Sequence, residues 1–238
     1  MSADGFVLVH GGFHDASCWE RLIPYLSLPT LAVDLPGRGA HPAAMEEVTL
    51  EACVRSVLAD LEDRGFERAV LVGHSLGGAT VPVVAARRPE RITHLVLLST
   101  LLAPDGGAIV DGFLPETRDQ AIRRLGEDES PRIEMSDAHH REMLNDDMSE
   151  EDIEFCVSRH CAESRHLFTD AASRSELPDE LPRTYIRLRQ DLSVSWEQQA
   201  HAISLLPGLE TREIDAPHPA MVTHPREVAA ILNEIAGR

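Results

Sequence analysis

The chain has 238 residues, a length that fits one large α/β domain with an insertion or two small domains. Hydrophobic residues make up 43% of it, enough for a real core, and 40 acidic against 22 basic side chains leave a net charge of -18. That charge argues against nucleic acid and against anionic membrane surfaces as partners. Every basic residue is arginine, the mark of GC-rich coding and a hint of a bacterial source; without lysine, no Schiff-base or lysine general-base mechanism is open.

Four cysteines, Cys18, Cys53, Cys156 and Cys161, form no C-x-x-C pair and are expected to be reduced thiols. The opening Met1-Ser2-Ala3-Asp4-Gly5 carries no basic residue, and the apolar run behind it is only a strand long. No signal peptide and no membrane span are expected, and the expected compartment is the cytoplasm.

In chain order, residues 6–10 are predicted as a strand that ends at Gly11-Gly12. Residues 17–25 carry Trp19, Leu22 and Ile23 at helical spacing. A second strand, 31–35, is closed by Pro36-Gly37-Arg38-Gly39. Leu50, Val54, Val57, Leu58 and Leu61 share a helix face, with Thr49 placed to cap its start and Gly65 to stop it. Strand three spans 69–72, a helix follows over 80–88 with Pro82 tolerated in its first turn, and strand four spans 94–99. Continuous apolar strands alternating with helices indicate a parallel sheet covered on both faces.

The alternation then stops. Residues 104–182 hold no strand of that kind, and two helices are expected there, at 116–125 and 150–165. Strand-helix alternation resumes with 184–188, 196–205, 211–214 and 225–236. The expected organisation is a core in two parts, 1–103 and 183–238, interrupted after the fourth strand by a helical cap over 104–182. Phe113, Leu114, Met143, Leu144, Phe155, Leu167 and Phe168 supply the cap with apolar residues to pack on the core, and some of these must roof the pocket.

The most informative motif is Gly73-His74-Ser75-Leu76-Gly77-Gly78, directly after the third strand. A serine hydroxyl is a weak nucleophile and must be presented alone, next to a base. A sharp strand-to-helix turn lifts it above the sheet edge, and the crowded backbone leaves glycine at the positions two residues to either side. The helix that follows points its free N–H groups at the reacting atoms. In open parallel sheets functional groups gather at the carboxyl ends of the strands, so the partners of Ser75 are sought in those loops. Asp191 follows the strand at 184–188 and stands between serine and histidine in the order Ser, Asp, His; Asp105 is the second candidate acid, and Asp34 reads as a turn residue. His218 lies in the loop after the last strand, between Pro217 and Pro219, and is the candidate base. His224 reads as structural, and His74 is expected to turn away from the base. Gly12 and Leu76 are the candidate oxyanion donors through their backbone N–H groups. Gly11, Phe13, His14 and His74 are expected around the substrate.

Val-Leu-Val-His-Gly-Gly-Phe-His with Trp19, Val-Asp-Leu-Pro-Gly-Arg-Gly, Leu-Val-Gly-His-Ser-Leu-Gly-Gly and Pro-His-Pro-Ala-Met-Val-Thr-His-Pro together resemble the α/β-hydrolase superfamily. Within it the chain is most similar to the group of plant methyl-ester esterases and hydroxynitrile lyases with their bacterial relatives. The match covers nearly all of the core and is weak across the cap. It implies an α/β-hydrolase fold with about six mostly parallel strands, Ser75, Asp191 and His218 as the triad, Gly12 and Leu76 as oxyanion donors, and no cofactor or metal. The lyases carry threonine where Gly11 stands and lysine where Pro219 stands, so cyanohydrin cleavage is not expected. Dehalogenases and epoxide hydrolases use an aspartate nucleophile where this chain has Ser75.

The expected activity is therefore hydrolysis of a small or medium carboxylic ester, with a small molecule as partner. A lactone, a thioester, a C–C bond in secondary metabolism or non-catalytic ligand binding are the alternatives, and a homodimer stays open. Two metal-like groupings, Asp137, His139, His140, Glu142 and Asp146, and Cys156, His160, Cys161 and His166, lack a zinc-site loop pattern and read as solvated helix faces. The acidic run 146–154 reads as a charged helix start that would disfavour anionic substrates at the entrance.

Overall fold

A computed structural model describes residues 2–125, 130–144 and 148–238. Six strands, β1 (Gly5–Val9), β2 (Thr30–Val33), β3 (Ala69–His74), β4 (Ile92–Leu98), β7 (Arg183–Leu188) and β8 (Glu210–Ile214), form one sheet in the order β2-β1-β3-β4-β7-β8. All its pairings are parallel. Two further strands, β5 (Arg132–Ile133) and β6 (Glu163–Ser164), pair antiparallel outside it.

The parity of each strand explains the two-sided core. Val7 and Val9 of β1, Leu71 of β3 and Leu95 and Leu97 of β4 face one apolar layer, with Val54, Val57 and Leu61 of α1 (Leu50–Arg64) and Val84 of α2 (Val81–Arg87). Phe6, Leu8, Val70, Val72, Val96 and Leu98 face the other, with Trp19 and with Val228, Leu232 and Ile235 of α9 (Pro225–Ala236). Nearly every residue of the central strands β1, β3 and β4 is buried, as a parallel sheet covered on both faces demands. Thr49 caps α1 by accepting the Ala52 N–H at 3.1 Å, and Gly65 ends it at φ 75°.

Between β4 and β7 the chain leaves the sheet. It forms α3 (Pro115–Arg124), β5, α4 (Asp137–Met143), α5 (Glu150–Val157), β6 and α6 (His166–Thr169). The helix expected over 150–165 ends at Val157. There the His160 ring turns back, and its Nδ1 pairs with the Val157 carbonyl at 2.7 Å, closing the last turn. Residues 17–25, expected as helical, form two short 3₁₀ turns, Ala16–Trp19 and Ile23–Tyr25, separated by residues 20–22, with Pro24 inside the second. After the insert, α7 (Trp196–Leu205), β8, α8 (Ala220–Thr223) and α9 complete the fold.

Ser149 caps α5, and the acids behind it are compensated locally. Glu150 and Glu154 pair with Arg141, and Glu151 and Asp152 with Arg21. These pairs offset four of the acids in the run; Asp146 and Asp147 lie outside the described residues. No helix among the described residues is long and apolar enough to cross a membrane.

Candidate active site

The register of the parallel strands brings five carboxyl ends into one row. Val9 pairs with Gly73, His74 with Leu98, Leu98 with Ile186, and Leu188 with Ile214. The loops that follow carry Gly11-Gly12, Ser75, Ser99, Asp191 and His218.

Ser75 sits in the left-handed region at φ 49°, the strained turn between β3 and the 3₁₀ turn Ser75–Ala79 that leads into α2. The sequence permits this turn because a side chain at either flanking glycine has no space. A β-carbon at Gly73 would lie 2.6 Å from Val81 Cγ2, and one at Gly77 would lie 2.9 Å from the His10 carbonyl oxygen.

Asp191 is fully buried at its side chain, and all four of its acceptor positions are used. Oδ1 accepts the N–H groups of Ser193 (2.8 Å) and Val194 (2.7 Å), and Oδ2 accepts the Ser99 hydroxyl (2.6 Å) and His218 Nδ1–H (2.6 Å). The His218 proton is therefore fixed on Nδ1, and Nε2 is left as the basic nitrogen. The His218 carbonyl accepts the Ala220 N–H (3.0 Å) and His74 Nε2–H (3.1 Å), which anchors the loop beneath the ring.

His74 corrects an expectation. It does not turn away from the base: its ring lies 4.5 Å from that of His218 and edge-on to Trp19 at 6.3 Å. Burial pushes its pKa well below the ordinary value, and the neighbouring His218 adds to the effect, so His74 stays neutral as a support. His10 acts similarly one strand away. It accepts the Leu35 N–H on Nε2 (3.2 Å) and uses Nδ1–H on the Gly11 carbonyl (2.8 Å), and burial keeps it neutral.

A cavity of about 430 Å³ opens above these groups. Gly11, Gly12, Phe13, His14, His74, Ser75, Leu76 and His218 all border it, so the expected pocket residues and the two candidate donors stand together. Among the described residues no acceptor is paired with the Gly12 N–H. From the insert, Phe113, Met143, Leu144, Phe155 and Phe168 line the cavity, whereas Leu167 is buried in the core. Cys18 and Cys156 also border it, and burial raises both thiols, Cys156 to about 12, which leaves them protonated.

The remaining candidates lie elsewhere. Asp105 accepts the Arg174 N–H at 2.7 Å and ties down the loop at 173–174. Asp34 accepts N–H groups of Ala16 and Ala40, each at 2.9 Å, as a turn residue. His224 pairs with its neighbour Thr223 at 2.8 Å. Among the described residues, no group of three or more His, Cys, Asp or Glu side chains is placed to hold a metal ion. Ser99 was not foreseen. It stands at φ 42° directly after β4, in the same strand-end row as Ser75 and Asp191, and its hydroxyl at a strand's carboxyl end is the signal the sequence carries for it.

The chain belongs to the alpha/beta hydrolase family, an enzyme family whose profile matches residues 6–231. It is similar to probable esterase PIR7A of rice (Oryza sativa subsp. indica), 29% identical over 98% of this chain and 97% of the rice protein. It is also similar to polyneuridine aldehyde esterase of Rauvolfia serpentina, 27% identical over 97% of this chain and 95% of that one. Among solved structures, an extracellular alpha/beta-hydrolase from a Paenibacillus species superposes with a TM-score of 0.86 at 20% identity, over 97% of this chain and 98% of the other, a likeness of fold.

Proposed function

We propose that this protein is a serine esterase that cleaves small to medium uncharged carboxylic esters through an acyl-enzyme. The observation that carries the reading is the 2.6 Å bond between His218 Nδ1 and buried Asp191, in the loops beside Ser75 on its strained turn. His218 Nε2 takes the Ser75 proton as Oγ attacks the ester carbonyl. Asp191 holds the ring and stabilises the imidazolium. The N–H groups of Gly12 and Leu76 receive the oxyanion, and the alcohol leaves with the proton that His218 returns. Water then repeats the sequence and releases the acid. The aromatic and aliphatic side chains that the insert adds to the cavity, beside the polar Glu134, His139, His140 and Arg159, suit an uncharged acyl or alcohol group, and the esterase names of the full-length relatives support the same chemistry. Gly11 argues against the lyase branch, because a β-carbon there would lie 2.9 Å from Ser75 Cβ and leave no place for a threonine.

Initial rates on p-nitrophenyl butyrate test this reading. Saturable turnover by the wild type, reduced by about 10³-fold or more in Ser75→Ala with the fold intact, is expected. Equal rates for both proteins would overturn it.

A further inference from the structure

A buried ion pair joins the insert to the loop after β2, and its carboxylate also reaches the loop that carries Gly12. Glu163 of β6 has a side chain with no exposure, and Arg38, in the loop after β2, is 1% exposed. Arg38 Nη2 lies 2.5 Å from Glu163 Oε1, which also accepts the Ser164 N–H at 2.6 Å. The other oxygen, Oε2, accepts the N–H of Phe13 at 3.0 Å. The Phe13 carbonyl accepts the Cys161 N–H at 2.8 Å, so the insert grips both polar groups of the residue next to Gly12.

Phe13 needs such a grip. Its φ of 60° is in the left-handed region, which a residue with a β-carbon adopts only under restraint. A carboxylate is a stronger acceptor for an N–H than a neutral oxygen, and a carboxylate this deeply buried requires a cation beside it. Arg38 meets that requirement. The Ser164 hydroxyl, bonded to the Val48 carbonyl at 2.7 Å, fixes the same strand to the core.

We propose that Glu163, paired with Arg38, is a positioning residue: it holds Phe13 in its left-handed conformation and thereby aims the Gly12 N–H at the oxyanion formed on Ser75. The proposal rests on the esterase reading above. It makes the oxyanion hole depend on the seating of the insert, since strand β6 supplies the restraint and the loop after β1 the donor.

The test compares wild type, Glu163→Gln and Arg38→Met/Glu163→Met for kcat, KM and thermal midpoint on p-nitrophenyl butyrate. Replacing a buried ion pair with apolar chains of similar size is often neutral for stability, so the double variant separates loop placement from folding. It is expected to fold, with kcat lowered about 10- to 100-fold and KM within about twofold. Glu163→Gln offers one oxygen where the carboxylate offers two, so its amide cannot serve the Phe13 N–H and the Arg38 and Ser164 donors at once, and it is expected to lower kcat as the double variant does, with KM likewise within about twofold. A double variant with wild-type kcat overturns the proposal, as does a Glu163→Gln variant with wild-type kcat. Should the double variant fail to fold, Glu163→Asp withdraws the carboxylate by one methylene and carries the same expectation of lowered kcat at unchanged KM; wild-type kcat in that variant overturns the proposal. Wild-type enzyme without Ser75-dependent turnover would instead remove the esterase reading itself.

Discussion

At the scale of single residues, the site is a set of hydrogen bonds that leave His218 one free basic nitrogen. Ser99 is the least obvious member. Its hydroxyl shares Asp191 Oδ2 with His218, and its backbone is held at φ 42° to reach it. Ser99→Ala should leave the buried carboxylate one donor short, lowering kcat/KM about tenfold, with KM little changed; an unchanged kcat/KM would show that the other three donors suffice. Most of this site was legible because turn chemistry is local: Gly73 to Gly78, Gly11-Gly12 and Pro217-His218-Pro219 each announce a loop of fixed shape. His74 faces the base because strand parity runs to the very end of β3. Val70, Val72 and His74 share one face, the face that Trp19 and α9 cover and on which the His218 loop descends. Glu163 and Arg38 left no local signal, being 125 positions apart in the sequence.

At the scale of elements, close approach between the Ser75 turn and the chain after β4 sets the geometry. A β-carbon at Gly78 would lie 2.0 Å from the Leu101 carbonyl oxygen, so backbone must move to admit it. Gly78→Ala should destabilise the fold by more than about 3 kcal/mol or abolish it. Gly237→Ala, where the nearest atom would be 3.5 Å away at an ordinary φ of -83°, should be neutral in the same denaturation experiment. Equal midpoints for the two variants would contradict this. Helices α7 and α9 were readable to the residue, since each combines a periodic apolar face with a clear start, Ser195 or Pro225. In the insert, α3 and the start of α5 lie within a residue of where helices are expected, but α4 and α6 are only 7 and 4 residues long, and β5 and β6 two residues each, too short for periodicity to register. They are held instead by contacts distant in sequence, such as the Cys161 N–H on the Phe13 carbonyl.

For the whole molecule, buried histidines tie stability to pH. Burial lowers His140 to about 3 and His94 to about 4, from an ordinary value of 6.5, and lowers His10 and His74 as well. Above pH 6.5 such a ring is neutral in both folded and unfolded chains, and its stabilisation is fully present. As pH falls below 6.5 the unfolded chain takes up the proton and the folded one does not, so stability declines until the folded pKa is reached. Each ring contributes a slope of up to about 1.4 kcal/mol per pH unit. Thermal midpoints should therefore fall from pH 6.5 to 4, and His94→Gln should flatten the decline by one proton's worth; parallel curves for both proteins would contradict it. The central claim is that Ser75 is activated by His218, and intact mass after brief exposure to a fluorophosphonate tests it most directly. One adduct on the wild type, mapped to Ser75, absent from Ser75→Ala and much slower on His218→Ala, is the predicted result. A folded wild type that takes no adduct, or takes it at the same rate without His218, would contradict the account.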